Sequence, residues 1–298
     1  GWRLTAALPL RWRFRDWSAN SLITGNWVEA AARLQARQLA QTWRPYRVVR
    51  TVDESSVIRS FHLEPSDGGA VPQFEAGQYL PIRLAQPQSA ASLQRTYTIS
   101  SAPGDAALRL SVKREGAASS HLHDRVAVGD LIDALGPRGQ FTIDAQSHRP
   151  AVLIGAGVGI TPMVSFLRHI VAEGFRHRRT RKVHLIQVAR DAAVRAFGQE
   201  LQELAGRADG AVQLHLVLDQ AGPGALAGPL TVNHLKQLLP FDDHEFYLCG
   251  PGGFMQSIYD GLRNLGVRDE RIHAESFGPA SLRRQPDGFA PAPPPPTP

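Results

Sequence analysis

Cysteine is almost missing: Cys249 stands alone among 298 residues. No intrachain disulfide can form, and one thiolate cannot build a metal centre or an iron–sulfur cluster. A reducing, cytoplasmic setting is the simplest reading. No apolar run is free of breakers. The longest, Ala151 to Leu167, holds Gly155, Gly157, Gly159 and Pro162, so it reads as strand, turn and helix rather than a transmembrane segment. No signal-peptide pattern opens the chain and no internal repeat is found. His121 and His123 stand close together, but no further ligand spacing supports a metal. The positive charge is also narrowly placed. Residues 1–50 hold nine arginines against two acids, and the remainder holds 24 basic and 25 acidic residues. A near-neutral body argues against a nucleic-acid enzyme.

What is present falls into four stretches. Residues 1–44 form an arm in which Trp, Phe and Arg interleave, followed by a helix-favouring segment from Trp27 to Trp43. Gly1 is not an initiator methionine, so a piece of a longer protein is expected. Residues 45–148 carry short β-type runs at Tyr46–Val52, Val57–Leu63, Tyr79–Leu84, Thr96–Ser100 and Leu108–Val112, which predict an antiparallel barrel or sandwich with one short helix after Ser119. Residues 149–279 alternate strands (Ala151–Gly155, Val183–Ala189, Val212–Leu218, Phe246–Cys249, Ile272–Phe277) with helices near 162–173, 196–206, 231–239 and 252–265. That alternation predicts a parallel, Rossmann-like α/β sheet covered on both faces. Residues 280–298 are proline-rich and read as an extended linker.

The chemistry begins at Gly155-Ala156-Gly157-Val158-Gly159-Ile160-Thr161-Pro162, where a strand turns into a helix. Glycines let backbone approach a ligand, Thr161 is a candidate cap, Pro162 suits a first helical position, and a helix N-terminus attracts pyrophosphate. The turn departs from the usual dinucleotide fingerprint, because the third glycine position falls on Ile160 and no acid follows at the required distance. A turn needed only for packing is the alternative.

Four further motifs follow in order: Arg95-Thr96-Tyr97-Thr98, Gly116-Ala117-Ala118-Ser119-Ser120-His121-Leu122, Cys249-Gly250-Pro251 and Glu275-Ser276-Phe277-Gly278-Pro279. With the glycine turn they resemble the ferredoxin–NADP reductase family over roughly Arg44 to Pro279. Stretches such as Val57-Ile58-Arg59-Ser60-Phe61, Gly77-Gln78-Tyr79-Leu80 and Ser111-Val112-Lys113-Arg114-Glu115 look most like the reductase half of flavohaemoglobins. The resemblance implies a Greek-key FAD-binding barrel followed by an NAD(P)-binding domain. It implies that Arg95 pairs with the flavin phosphate, Tyr97 stacks on the isoalloxazine and Thr98 bonds its N5 edge. It further implies that Ser119 meets the FAD pyrophosphate, Tyr79 contacts FAD, and Phe277 lies near the other flavin face. Thr96, Lys113, Gly116, Ser276 and Gly278 complete the implied flavin site. Cys249, with Gly250 and Pro251 at a strand's carboxyl end, is implied to position the nicotinamide rather than to act as a nucleophile. Thr98, Cys249 and Phe277 are the candidate catalytic positions.

The implied activity is hydride transfer from NAD(P)H to FAD, then electron delivery to a one-electron acceptor. The acceptor is expected to be a haem or iron–sulfur protein or fused domain outside this chain, and the chain is expected to be a monomer. Alternatives are the reductase fragment of a flavohaemoglobin-like nitric oxide dioxygenase, or a silent FAD-binding sensor. A membrane- or nucleic-acid-associated protein is the more distant rival. Arg190 beside Asp191 leans toward NADPH, with NADH tolerated. The basic run Arg176–Lys182 reads as a solvated loop or as a docking patch for an acidic carrier.

Overall fold

The computed structural model describes residues 41–84, 92–219, 222–278 and 281–288. The chain divides into two compact units, Gly1–Trp43 and Arg44–Pro298, and every element below belongs to the second. The arm with its expected helix, and most of the proline-rich tail, lie outside the described residues.

Six antiparallel strands come first: β1 (Arg44–Asp53), β2 (Ile58–Pro65), β3 (Tyr79–Leu84), β4 (Leu93–Thr98), β5 (Leu108–Lys113) and β6 (Leu131–Ala134). Their order is β4-β3-β6-β1-β2-β5. The edges β4 and β5 meet through the bridge between Ile99 and Leu110 and the Ser100 N–H bonded to the Arg109 carbonyl at 2.7 Å. The sheet is thus closed into a barrel, which removes exposed edges. Strand β6 pairs with β1 and β3, and this return crossing is the Greek-key element. Alternate residues fill the interior, among them Val48, Phe61, Leu63, Leu80, Ile82, Leu110 and Ile132. Each such side chain contributes about 1.5–3 kcal/mol on burial. Helix α1 (Ala117–Arg125) adds Ala118 and Leu122 to that core.

The second half is a parallel sheet of β7 (Ala151–Ala156), β8 (Val183–Ala189), β9 (Val212–Leu218), β10 (Leu226–Ala227), β11 (Glu245–Gly250) and β12 (Ile272–Ser276), ordered β10-β9-β8-β7-β11-β12. Within β7 the residues alternate between two cores. Ala151 and Leu153 pack with α2 (Ile160–His177) and α3 (Gly198–Gly206); Val152 and Ile154 pack with α4 (Val232–Leu238) and α5 (Gly252–Asn264). The chain winds outward from β7 to β9 and then returns to β11 on β7's other side. That reversal creates the switch-point crevice beyond the carboxyl ends of β7 and β11, where ligands bind in such sheets. No helix among the described residues is long and apolar enough to cross a membrane.

Barrel and sheet are locked together. Phe141 of the connecting segment packs on Phe166 and Tyr247, with centroids 5.2 and 6.2 Å away. Arg109 on β5 donates to Glu200 on α3 at 2.7 Å, and Arg168 on α2 joins Glu200 and Asp105, each at 2.7 Å. The basic run is exposed at Arg176, His177, Arg178 and Lys182, as a solvated loop would be, but Arg181 breaks that pattern. Arg181 is wholly buried, and donates to the Arg149 and Asp144 carbonyls at 2.7 Å and to Glu245. It ties the connecting segment to the foot of the sheet.

Candidate functional site

Two adjoining clefts lie where the barrel meets the carboxyl edge of the sheet. The first encloses about 490 Å³ and is lined by Tyr79, Thr96, Tyr97 and Thr98 from the barrel, Lys113 from β5, Val158 and Thr161 from the glycine turn, and Ser276, Phe277 and Gly278 from the end of β12. The second encloses about 340 Å³ and includes Ala156, Gly157, Arg190 and Pro251. Lys113 lines both, and the glycine turn divides its residues between them. Residues far apart in sequence therefore converge on one crevice.

Strand pairing explains the first cleft. Tyr79 lies opposite Thr98 and Leu80 opposite Tyr97, so β3 and β4 present a tyrosine beside a threonine on one side and Tyr97 on the other. Thr98 is 5% exposed, and its Oγ1 has no hydrogen-bond partner. A buried hydroxyl without a partner is costly, and here it lines a cleft. Glu275 presents a second such atom: its Oε2 is buried without a partner, and burial pushes its carboxyl up to about 7. Together these atoms fit a bound group with hydrogen-bonding edges, as a flavin ring has. Glu275, Ser111 and Glu115 line this cleft without a sequence expectation for any of them. Glu275 stood inside the motif that carried Ser276 and Phe277, but nothing in its spacing marked it as buried. Lys113 is ion-paired with Glu115. Phe277 is 42% exposed at the cleft's rim.

The glycine turn works differently from the expectation. Residues Gly157–Gly159 form a single 3-10 turn and α2 begins at Ile160, with Gly159 as its cap residue. Thr161 does not cap; its hydroxyl donates to the Val158 carbonyl at 3.0 Å. Ile160 and Pro162 are buried in the core below. Gly155 and Gly159 serve packing: a Cβ on Gly159 would lie 2.2 Å from the Cys249 carbonyl oxygen, and one on Gly155 would lie 2.8 Å from the Ile160 Cα. Only Gly157 faces open space, at φ +57°, a left-handed conformation suited to glycine. Of the three glycines, it is the one that leaves the second cleft room for a ligand backbone or phosphate.

Three other expectations are redirected. Ser119 lies inside α1, which begins at Ala117 after the cap residue Gly116. Its hydroxyl accepts the Glu115 and Gly116 N–H groups at 2.9 Å and donates to the Gly116 carbonyl, so it shapes the turn and is not free for a phosphate. Arg95 is exposed, outside the cleft lining, and bonded only to the Gln94 carbonyl at 2.7 Å. Cys249 is fully buried and lines neither cleft; burial, then the nearby Glu275 carboxylate, pushes its thiol well up. It is therefore a neutral, inert thiol. Gly250 packs against Ala156, and Pro251 caps α5 while lining the second cleft. Arg190 lines that cleft with Asp219, and is paired with Asp191 at 3.1 Å. Asp191 spends its other oxygen on the N–H groups of Ala193 and Val194. Among the described residues no group of His, Cys, Asp and Glu is placed to hold a metal.

Comparison with known proteins agrees with this geometry. A family model for oxidoreductase FAD-binding domains matches residues 45–143, and one for oxidoreductase NAD-binding domains matches residues 153–260. The flavohemoprotein of Bordetella pertussis is 38% identical over 249 residues, covering 79% of this chain and 61% of that protein. The flavohemoprotein of Chromobacterium violaceum is 39% identical over 251 residues with the same coverage. This chain thus spans about three-fifths of the curated relatives it matches. Among solved structures, the flavohem-like FAD/NAD-binding domain of nitric oxide dioxygenase from Vibrio cholerae is 35% identical, with a TM-score of 0.72, covering 79% of this chain and 99% of that one. Phthalate dioxygenase reductase, described as modular for electron transfer from pyridine nucleotides to a [2Fe-2S] centre, is 26% identical with a TM-score of 0.64, covering 80% and 70%. The chain belongs to the ferredoxin–NADP reductase family, as an oxidoreductase module made of an FAD-binding and an NAD-binding domain.

Proposed function

We propose that FAD lies along the barrel with its ring in the first cleft, and that NAD(P)H lies in the second with its nicotinamide reaching the ring. The single observation that carries this is the unpartnered Thr98 hydroxyl, buried between Tyr79 and the cleft that Tyr97 and Phe277 border. Bound FAD supplies acceptance of a hydride and its release as single electrons. The protein's part is orientation and exclusion of water. Tyr97 offers a ring face from the barrel and Phe277 one from the sheet. Thr98 holds a hydrogen-bonding group at the ring's edge. Glu275, held near neutrality by burial, is poised to keep or give up a proton close by. Lys113, at the junction of the clefts, offers a cation to either ligand. Arg95, exposed next to the cleft-lining Thr96, would exchange the Gln94 carbonyl for a phosphate held as a guanidinium fork.

The electrons go to a haem or iron–sulfur centre on a partner or fused domain. The identity to flavohemoproteins favours haem, and the likeness to phthalate dioxygenase reductase keeps an iron–sulfur partner as the second reading. The buried, unreactive Cys249 and the need for NAD(P)H suit a cytoplasmic setting.

Titration of the protein with FAD and with FMN, each for wild type, Arg95→Ala and Tyr97→Ala, tests the reading. FAD is expected to bind more tightly than FMN. Arg95→Ala is expected to weaken FAD by about 1.5–3 kcal/mol, the scale of a hydrogen bond to a charged group. Unaltered FAD affinity in both variants would place the flavin elsewhere.

A further inference from the structure

A chain of buried hydroxyls leaves the first cleft and ends on a carboxylate in another cavity. Ser111 on β5 lines the cleft and is 3% exposed. Its Oγ lies 2.7 Å from the Oγ of Ser60, its register partner on β2. Ser60, fully buried, donates to Glu54 Oε1 at 2.6 Å. Glu54 lines a separate cavity of about 440 Å³ at the junction of the barrel with α2 and α3. Both links are short, and each hydroxyl carries one proton and accepts another.

We propose that Ser111, Ser60 and Glu54 form a proton relay between the flavin cleft and the junction cavity. The balance of the reaction calls for one. Each hydride taken up yields two electrons and one proton; the electrons leave singly to the acceptor, and the proton has to leave the cleft separately. With Glu54 ionised, Ser60 points its hydrogen to Glu54, so Ser111 points its own to Ser60. Ser100 then donates to Ser111 across 2.6 Å, and the remaining Ser111 Oγ lone pair is open to the cleft. A proton arriving there displaces the Ser111 hydrogen to Ser60 and the Ser60 hydrogen to Glu54. The bond broken at each oxygen is replaced by the bond formed, and the net result is a protonated Glu54. Rotation of the two hydroxyls resets the chain after Glu54 gives its proton to solvent.

The side branch cannot do this. Ser111 also touches Ser100 at 2.6 Å, but the other partners of Ser100 are the Arg109 Nε, which only donates, and the Arg109 carbonyl, which does not titrate. Glu54 is suited to receive and release. Burial raises its carboxyl, while the Ser60 bond and the Arg109 guanidinium oppose that rise; Glu200 adds to it and Arg50 opposes it. His62, Arg168 and Asp105 also border the cavity. Burial and the surrounding arginines hold His62 down to about 4, and Glu54 is the cavity carboxyl that the hydroxyl chain reaches through Ser60.

The relay rests on FAD occupying the first cleft, so the test separates the two claims. FAD-loaded, reduced protein is mixed with ferricyanide, and proton release is followed with a pH indicator. Ser60→Ala and Glu54→Gln are each expected to keep FAD and to slow release about ten-fold or more, toward the low end of what one positioned acid–base group contributes. In flavin-free protein, carbon NMR of the Glu54 carboxyl is expected to show a higher titration midpoint in Ser60→Ala than in wild type. Wild-type release rates in both variants, or an unmoved Glu54 midpoint, overturn the relay. So does loss of FAD from either variant, since Glu54 and Ser60 would then be holding the cleft together. FAD affinity left unchanged by Tyr97→Ala fails the cleft reading instead.

Discussion

A buried arginine at the foot of the parallel sheet and two buried groups in the cleft at its head are treated in opposite ways. At the foot, Arg181 is wholly buried and all three of its guanidinium nitrogens have acceptors. At the head, Thr98 Oγ1 and Glu275 Oε2 are buried with no protein partner. The foot has unpartnered buried atoms of its own, Gln146 Nε2, His244 Nε2 and Arg271 Nε among them, but none of these residues lines either cleft. Saturation of Arg181 is architecture: a segment is tied down and each of its guanidinium bonds is made within the chain. Unpartnered atoms at the head line a cleft, and a ligand would complete their bonds. Arg181 is thus complete within the chain, and the two cleft atoms are not.

The largest expected break in this contrast is Arg181→Ala. Removing the guanidinium leaves Glu245 and two carbonyls without their partner. Breaking one side of a buried charge pair costs about 3–5 kcal/mol, so urea unfolding should show a loss on that scale. A loss below about 1 kcal/mol would mean that the foot is not held as described.

Thr98→Val should do the reverse. The hydroxyl makes no bond in the protein alone, so the flavin-free variant should unfold at the same urea concentration as wild type or a higher one. Flavin reduction by NAD(P)H should slow about ten-fold, the equivalent of roughly 1.4 kcal/mol. A large stability loss with normal reduction would make Thr98 a structural residue.

The two ends should also answer pH with opposite signs. Burial raises the Glu275 carboxyl to about 7, so the folded state holds its proton more tightly than the unfolded state does. Its contribution is intact below about 4.5 and is lost as pH rises toward 7. At the foot, burial and then the neighbouring His215 and His244 hold His184 down to about 4. His184 stacks on His215 with Nδ1 3.1 Å from Nε2. Its contribution is intact above about 6.5 and is lost as pH falls toward 4. Melting temperature against pH should therefore steepen on the acid side in Glu275→Gln, which leaves the histidine loss unopposed, and flatten there in His184→Gln. Identical profiles for both variants would remove the contrast.

The smallest effect concerns the coenzyme. Arg190 is exposed and already paired with Asp191, and exposed pairs are worth little, with a median of about 0–1 kcal/mol. Arg190→Ala should raise KM for NADPH a few-fold, on the order of that energy, and leave KM for NADH nearly unchanged. Equal changes for both would show that Arg190 does not read the 2′-phosphate.

Much of the fold was legible because period and punctuation survive in the sequence. The alternation of β2 and β5 and the apolar runs of β7 and β8 predict strands, and the helix after the glycine turn was expected within two residues of its start. Strand β6 was not legible: Leu131-Ile132-Asp133-Ala134 is too short for a pattern, and β1 and β3 recruit it from either side. Two-residue β10 exists only as a pairing with β9. At the site, the motif residues Tyr79, Tyr97, Thr98, Lys113 and Phe277 do meet in one cleft. The rest was hidden for a common reason. Ser60 and Ser111 read as solvent-side positions until α2 and α3 cover that flank of the barrel, Arg181 reads as one more base in a basic run, and Glu275 reads as a strand-end acid. Their burial is a property of the assembled chain.

One measurement tests the central claim most directly. The FAD-loaded protein is mixed anaerobically with NADPH or NADH while its visible absorbance is followed, and ferricyanide is added afterward. The flavin absorbance should bleach with at least one coenzyme and return on oxidation, and Thr98→Val should bleach more slowly with its FAD still bound. A chain that binds no FAD, or whose bound FAD keeps its absorbance under both coenzymes, would contradict the account.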